Sequence, residues 1–102
     1  MSKFRSKPIT IDGLRFASQR EYKRWCELKL LEKAKAISDL KFQVKFPLRG
    51  AEQSQVAVYI ADFTYSENGK QVVCDAKGFK TDMYRLKKRW MKADYGIDIR
   101  EV

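Results

Sequence analysis

The stretch VAVYIADFTYSENGKQVVCDAKG, residues 56–78, constrains the fold more than any other part of the chain. Asn68-Gly69 lies between two runs rich in β-branched and aromatic residues, and such a pair favours the two-residue hairpin turn because both positions tolerate positive φ. Strands are expected at residues 56–65 and 71–77. The turn also sets the register: Glu67 faces Lys70, Tyr65 faces Val72, Asp62 falls opposite Asp75, and Ile60 falls opposite Lys77. Side chains alternate along a strand, so Asp75 and Lys77 share a face, and cross-strand pairing puts Asp62 on it too.

Two carboxylates and an ammonium thus converge. Directly opposed side chains have Cβ atoms about 4.5–5.5 Å apart, and like charges there destabilise a sheet unless something intervenes. Either the aspartates are edge-strand charges that discourage aggregation, or they share a cation. The chain has no histidine, which removes His-metal motifs, Ser-His-Asp triads and His general bases. Oxygen donors alone suit Mg²⁺ or Mn²⁺ rather than Zn²⁺. Lys77 cannot bind a cation, but it can hold or deprotonate an attacking water and steady charge growing on a phosphate. With 22 Lys and Arg against 13 Asp and Glu, a formal charge of +9, the chain favours polyanions. The combination points to phosphodiester hydrolysis.

The 102 residues suffice for one core. Residues 1–8 read as a basic arm carrying Lys3, Arg5 and Lys7, and residues 9–102 as a single domain. ITIDGLRF reads as a small hairpin around Asp12-Gly13. Ser18 and Glu21 form a capping box opening a helix to about Ala36. LKFQVKFPL, residues 40–48, alternates with period two, and Pro47 marks an edge or a bend. Gln43 falls on its polar side. Thr81 or Asp82 caps a second helix to about Ala93, with Met83, Leu86, Trp90 and Ala93 as its apolar face. IDIREV, residues 97–102, reads as a last strand. The expected order is α-β-β-β-α-β.

Glu21 also shares a helix face with Trp25 and Leu28, so it reads equally as a cap or as a core-facing carboxylate able to join a metal site. Trp25 and Trp90 read as core. Cys26 and Cys74 are far apart without CxxC spacing and read as reduced core residues. Without a long apolar run or a signal-peptide h-region, the chain reads as cytoplasmic, with no membrane partner.

Glu21, Asp62 and Asp75-Ala76-Lys77 in this order of elements resemble the PD-(D/E)XK nuclease superfamily, with a mixed four-stranded restriction-endonuclease-like sheet flanked by helices. FASQREYKRW, YIADFTY, VVCDAKGFKT and YRLKKRWM look like a small family of phage and prophage proteins with this fold. Ala61 stands where the superfamily motif often has proline, and Cys74 stands where relatives are expected to carry an acidic or apolar residue. The resemblance implies Asp62 and Asp75 as metal ligands, Lys77 as the catalytic lysine, the Ala76 carbonyl as a further ligand and Glu21 as the additional helix acid. It implies a Mg²⁺- or Mn²⁺-dependent DNA endonuclease resembling Holliday junction resolvases, acting on branched or duplex DNA as a homodimer in the host cytoplasm. Lys80, Arg85, Lys88, Arg89 and Lys92 would grip phosphates. The alternatives are a DNA-binding module without turnover and a protein-interaction module.

Overall fold

A computed structural model describes residues 8–76 and 80–102. Its elements run β1 (Ile9–Ile11), β2 (Leu14–Phe16), α1 (Gln19–Lys33), β3 (Ser38–Arg49), a 3₁₀ turn (Ala51–Gln53), β4 (Gln55–Glu67), β5 (Lys70–Asp75), α2 (Asp82–Tyr95) and β6 (Arg100–Glu101). After the β1–β2 hairpin, the order is the expected α-β-β-β-α-β in a mixed α/β fold. The main sheet has the order β3-β4-β5-β6, antiparallel except for the parallel β5–β6 pair. Pro47 indeed lies on an edge strand.

Asn68 has φ 53° and Gly69 φ 77°, the positive pair that a type I′ turn demands. Glu67↔Lys70 and Tyr65↔Val72 pair as expected. The ladder stops at Phe63↔Cys74, however, so Asp62 and Asp75 are not a laddered pair; the expected Ile60–Lys77 pairing falls on a residue outside the described ones. Lys77, expected in β5, lies outside the described residues, as does most of the basic arm.

Alternate residues of β5 serve the two helices. Val72 and Cys74 pack with Trp25 and Leu28 of α1, while Val73 packs with Tyr84 and Met91 of α2. Along β4, Phe63 and Tyr65 join the α1 cluster, but Tyr59 and Ala61 join the α2 cluster although all four share the same parity. A regular strand would keep them on one face. The change falls at Asp62, whose partner position Gln43 has φ 54° within β3 and is absent from a register otherwise continuous from Phe42↔Phe63 to Val44↔Ala61. A residue with positive φ inside a strand redirects the side chains beyond it.

Ser18 caps α1, its hydroxyl accepting from the Glu21 N–H at 3.2 Å. The reciprocal bond is shifted by one residue: the Glu21 carboxylate accepts from the Ala17 N–H at 3.4 Å rather than from Ser18. The helix ends three residues before the expected Ala36. Lys35 takes φ 65°, and the Lys35 and Ala36 N–H groups donate back to the Glu32 and Leu31 carbonyls, a Schellman ending with a lysine where glycine is usual.

The expected apolar face of α2 needs correction. Tyr84 and Met91 are its buried residues, whereas Met83 and Leu86 are 59% and 43% exposed, and Ala93 is exposed too. Tyr84 carries an apolar ring behind a polar tip, and its hydroxyl is used on the sheet, which rotates the helix about one residue from the purely aliphatic reading. The last strand is shorter than IDIREV because only Cys74↔Arg100 and Asp75↔Glu101 pair with β5, leaving Ile97 and Ile99 to pack on the core. No helix among the described residues is long and apolar enough to cross a membrane.

Candidate active site

Asp75 ends β5 with no solvent exposure. The Tyr59 hydroxyl donates to its Oδ2, and its backbone carbonyl accepts from the Val102 N–H at 3.0 Å. Asp62, half-buried on β4, reaches across to accept from the Ala76 N–H at 2.9 Å. Ladder pairing has ended there, so the Ala76 N–H needs another acceptor, and Asp62 supplies it. The two aspartates therefore lie at one strand end, Asp62 on the Ala76 N–H and Asp75 under the Tyr59 hydroxyl, just beyond the last laddered pair. The change of face at Asp62 is also what brings Tyr59 to Asp75.

Helix α1 closes the same strand end from the other side. The Trp25 ring lies over Phe63, next to Asp62, with centroids 6.0 Å apart. Arg20 donates to the Val102 carbonyl at 3.3 Å, and Val102 in turn donates to Asp75. Glu21 is 4% exposed and, with Leu28, forms the buried face of α1, so a carboxylate in the first turn does point inward. Burial pushes the Cys74 thiol pKa up; the Arg24 guanidinium opposes that rise and the charge of Asp62 adds to it. Arg20, Lys23, Arg24 and Glu27 of α1 line an open cleft against Ala76 and Val102. This cationic edge beside the aspartates is absent from the sequence reading, which weighed basic residues by their density along the chain.

On the α2 side, the Tyr84 hydroxyl donates to Glu101 Oε2 at 2.7 Å. Lys88 Nζ lies 3.1 Å from the same oxygen and Lys80 Nζ 3.3 Å from Oε1. These contacts hold the Glu101 pKa down at about 2: the Tyr84 hydrogen bond acts most strongly, burial opposes it, and Lys88 and Lys80 add to the lowering. Burial, the Glu101 contact and the charges of Asp75 and Asp62 together push the Tyr84 phenol up, so the aspartates lie within electrostatic reach of α2. Of the other expected phosphate contacts, Arg85 pairs with Asp82 at 3.5 Å and Lys92 with Asp98 at 2.8 Å. Arg85, Lys88, Arg89 and Lys92 do line one depression, shared with Asp82 and Asp98.

A family model described as a protein of unknown function, DUF1064, matches residues 1–101. The chain belongs to that family. Neither a curated protein nor a solved structure matches this DUF1064 chain.

Among the described residues, no three Asp, Glu or Cys side chains cluster closely enough to enclose a metal ion unaided. The donor chemistry nevertheless fits a hard divalent cation: Asp62 and Asp75 offer carboxylate oxygens at one strand end. Mg²⁺ is commonly held by one or two carboxylates, with water and substrate phosphate completing its shell. Tyr59, Tyr84 and Glu101 escaped the sequence reading. Tyr59 and Tyr84 read there as strand and helix residues with no charge to mark them, and the contacts of Glu101 depend on where a short terminal strand docks.

Proposed function

We propose that this chain is a Mg²⁺- or Mn²⁺-dependent DNA endonuclease of the PD-(D/E)XK type, cutting branched or duplex DNA as a homodimer in the bacterial host cytoplasm. The observation that carries the reading is the complete enclosure of Asp75 with Asp62 brought to the same strand end. Burying a carboxylate is costly unless it is compensated, and a second carboxylate nearby favours cation binding. The α-β-β-β-α-β order and the burial of Glu21 on α1 support it further.

Asp62, Asp75 and the Ala76 carbonyl would hold the ion, with Glu21 as the additional acid. When bound, the ion supplies a Lewis acid for the phosphoryl oxygen and an acidified water. The Tyr59 hydroxyl, donating to Asp75, would fix the orientation of that carboxylate. Lys77 would hold or deprotonate the attacking water and stabilise the charge that develops on the phosphate. Lys80, Arg85, Lys88, Arg89 and Lys92, joined by Arg20, Lys23 and Arg24, would contact backbone phosphates, giving affinity that is steep in salt and carries little sequence information. Symmetric cutting of a junction needs two sites, hence the homodimer.

A second reading, a DNA-binding module without turnover, is favoured by the same hydrogen bonds, because Ala76 and Tyr59 give both aspartates a structural task. Cleavage of labelled four-way junction, linear duplex and single-stranded DNA with Mg²⁺, Mn²⁺ or EDTA separates the two. The endonuclease reading expects metal-dependent cutting, greatest on the junction, that Asp75→Asn and Lys77→Ala abolish. DNA binding without cutting, unchanged by Asp75→Asn, would favour the module.

A further inference from the structure

Three donors from separate positions converge on the single carboxylate of Glu101: the Tyr84 hydroxyl and the Lys88 ammonium on Oε2, and the Lys80 ammonium on Oε1. Tyr84 and Lys88 are one turn apart on α2, Lys80 precedes the helix, and Glu101 comes from β6. The lysine side chains are 45% and 40% exposed, and that of Glu101 is 23% exposed. Exposed ion pairs contribute little to stability, so stability does not account for gathering three donors around one anion. Asp75 and Glu101 are cross-strand partners, which puts the cluster one strand away from the candidate metal ligands. The cations and the hydroxyl form the donor array that recognises a phosphate, and a carboxylate presents the acceptor pattern that satisfies it.

We infer that Tyr84, Lys80 and Lys88 form a phosphate-binding cradle in which Glu101 sits as a built-in anion that a nucleic acid phosphate displaces. Naming a nucleic acid as the displacing ligand rests on the nuclease reading above; the cradle itself does not. Displacement swings Glu101 out to solvent and leaves the three donors in place, so wild-type affinity is held below what the donors alone would give. Only charge-assisted hydrogen bonds are exchanged.

The test uses the full chain as wild type, Glu101→Ala, the more conservative Glu101→Gln, and Glu101→Ala combined with Lys88→Gln. Thermal unfolding is followed against inorganic phosphate. Binding of labelled duplex DNA is followed in EDTA at several salt concentrations. The half-saturating phosphate concentration is expected to fall about tenfold on removing Glu101, the order for one freed charge-assisted contact, and Lys88→Gln should cancel the gain. The salt slope of DNA binding should steepen by about one to two, at about 0.9 per added phosphate contact. A phosphate response in both Glu101 variants equal to or weaker than wild type overturns the cradle, even if DNA binding stays intact. A gain in phosphate binding with no DNA binding by any variant upholds the cradle and removes the nucleic acid from it.

Discussion

On the α1 face of the sheet, rings pack against rings: Phe16 on Phe42 at 4.9 Å, Trp25 on Phe42 at 5.4 Å and Trp25 on Phe63 at 6.0 Å between centroids. On the α2 face, Phe46 also packs on Tyr59 and Tyr95, but four aromatic side chains end in hydrogen bonds. Trp90 Nε1 donates to the Arg49 carbonyl at 3.0 Å, the Tyr95 hydroxyl to the Pro47 carbonyl at 2.6 Å, the Tyr84 hydroxyl to Glu101, and the Tyr59 hydroxyl to Asp75. Ring packing is strong but weakly directional, whereas a polar tip fixes the rotation of the element that carries it. The α1 face therefore supplies mainly cohesion. The α2 face supplies orientation, and this explains how α2 leaves Met83 and Leu86 outward while Tyr84 points in.

If that division holds, the largest effect on stability belongs to the α1 face. Leu28→Ala, at a fully buried position, should lower unfolding free energy by about 2–5 kcal/mol, read by chemical denaturation, with DNA cleavage by the folded fraction unchanged. Tyr59→Phe should do the reverse. It removes one hydrogen bond, worth about 1 kcal/mol of stability, yet should weaken Mn²⁺ affinity about 10–100-fold, as expected when the partner of a ligating carboxylate is lost. Equal losses of stability in the two variants would break the comparison.

The helix ends sharpen it on a smaller scale. Gly96 closes α2 at φ 68°, whereas Lys35 closes α1 at φ 65°. A side chain in the left-handed region costs about 1–2 kcal/mol, partly offset by the extra freedom glycine brings to the unfolded chain. Lys35→Gly should stabilise by about 0.5–1 kcal/mol and Gly96→Ala should destabilise by about 1 kcal/mol, both measurable as midpoint shifts in urea.

The smallest expected effect concerns pH. The folded-state carboxyl of Glu101 titrates at about 2, against an ordinary value of 4.5. Its contribution to stability is present in full above pH 4.5 and is lost as pH falls towards 2. Exposure and salt screening keep that contribution small. Tyr84→Phe should move the Glu101 carboxyl titration upward in an NMR titration, while a substitution on the α1 face such as Leu28→Ala should not.

The hairpin, its register through Tyr65↔Val72, the helix caps and the order of elements were legible because each follows from local chemistry: Asn-Gly at a turn, Ser18 and Thr81 at helix starts, and period-two apolar residues in β3. The contact of Tyr59 with Asp75 was not legible. It depends on the change of side-chain direction at Gln43 and Asp62, and a glutamine with positive φ carries no sequence signal of the kind glycine would give. The rotation of α2 is not legible from its aliphatic residues, because the amphipathic Tyr84 takes the inward position. The acid pair was recognisable as Asp62 and Asp75, but the end of the ladder at Phe63↔Cys74, which leaves Asp62 to accept from the Ala76 N–H, was not.

Calorimetric titration of Mn²⁺ into wild type, Asp62→Asn and Asp75→Asn tests the central claim most directly. Wild type should show one saturable binding event that disappears in both variants while their folding is retained. Identical isotherms for all three proteins would contradict a metal site at the end of β5.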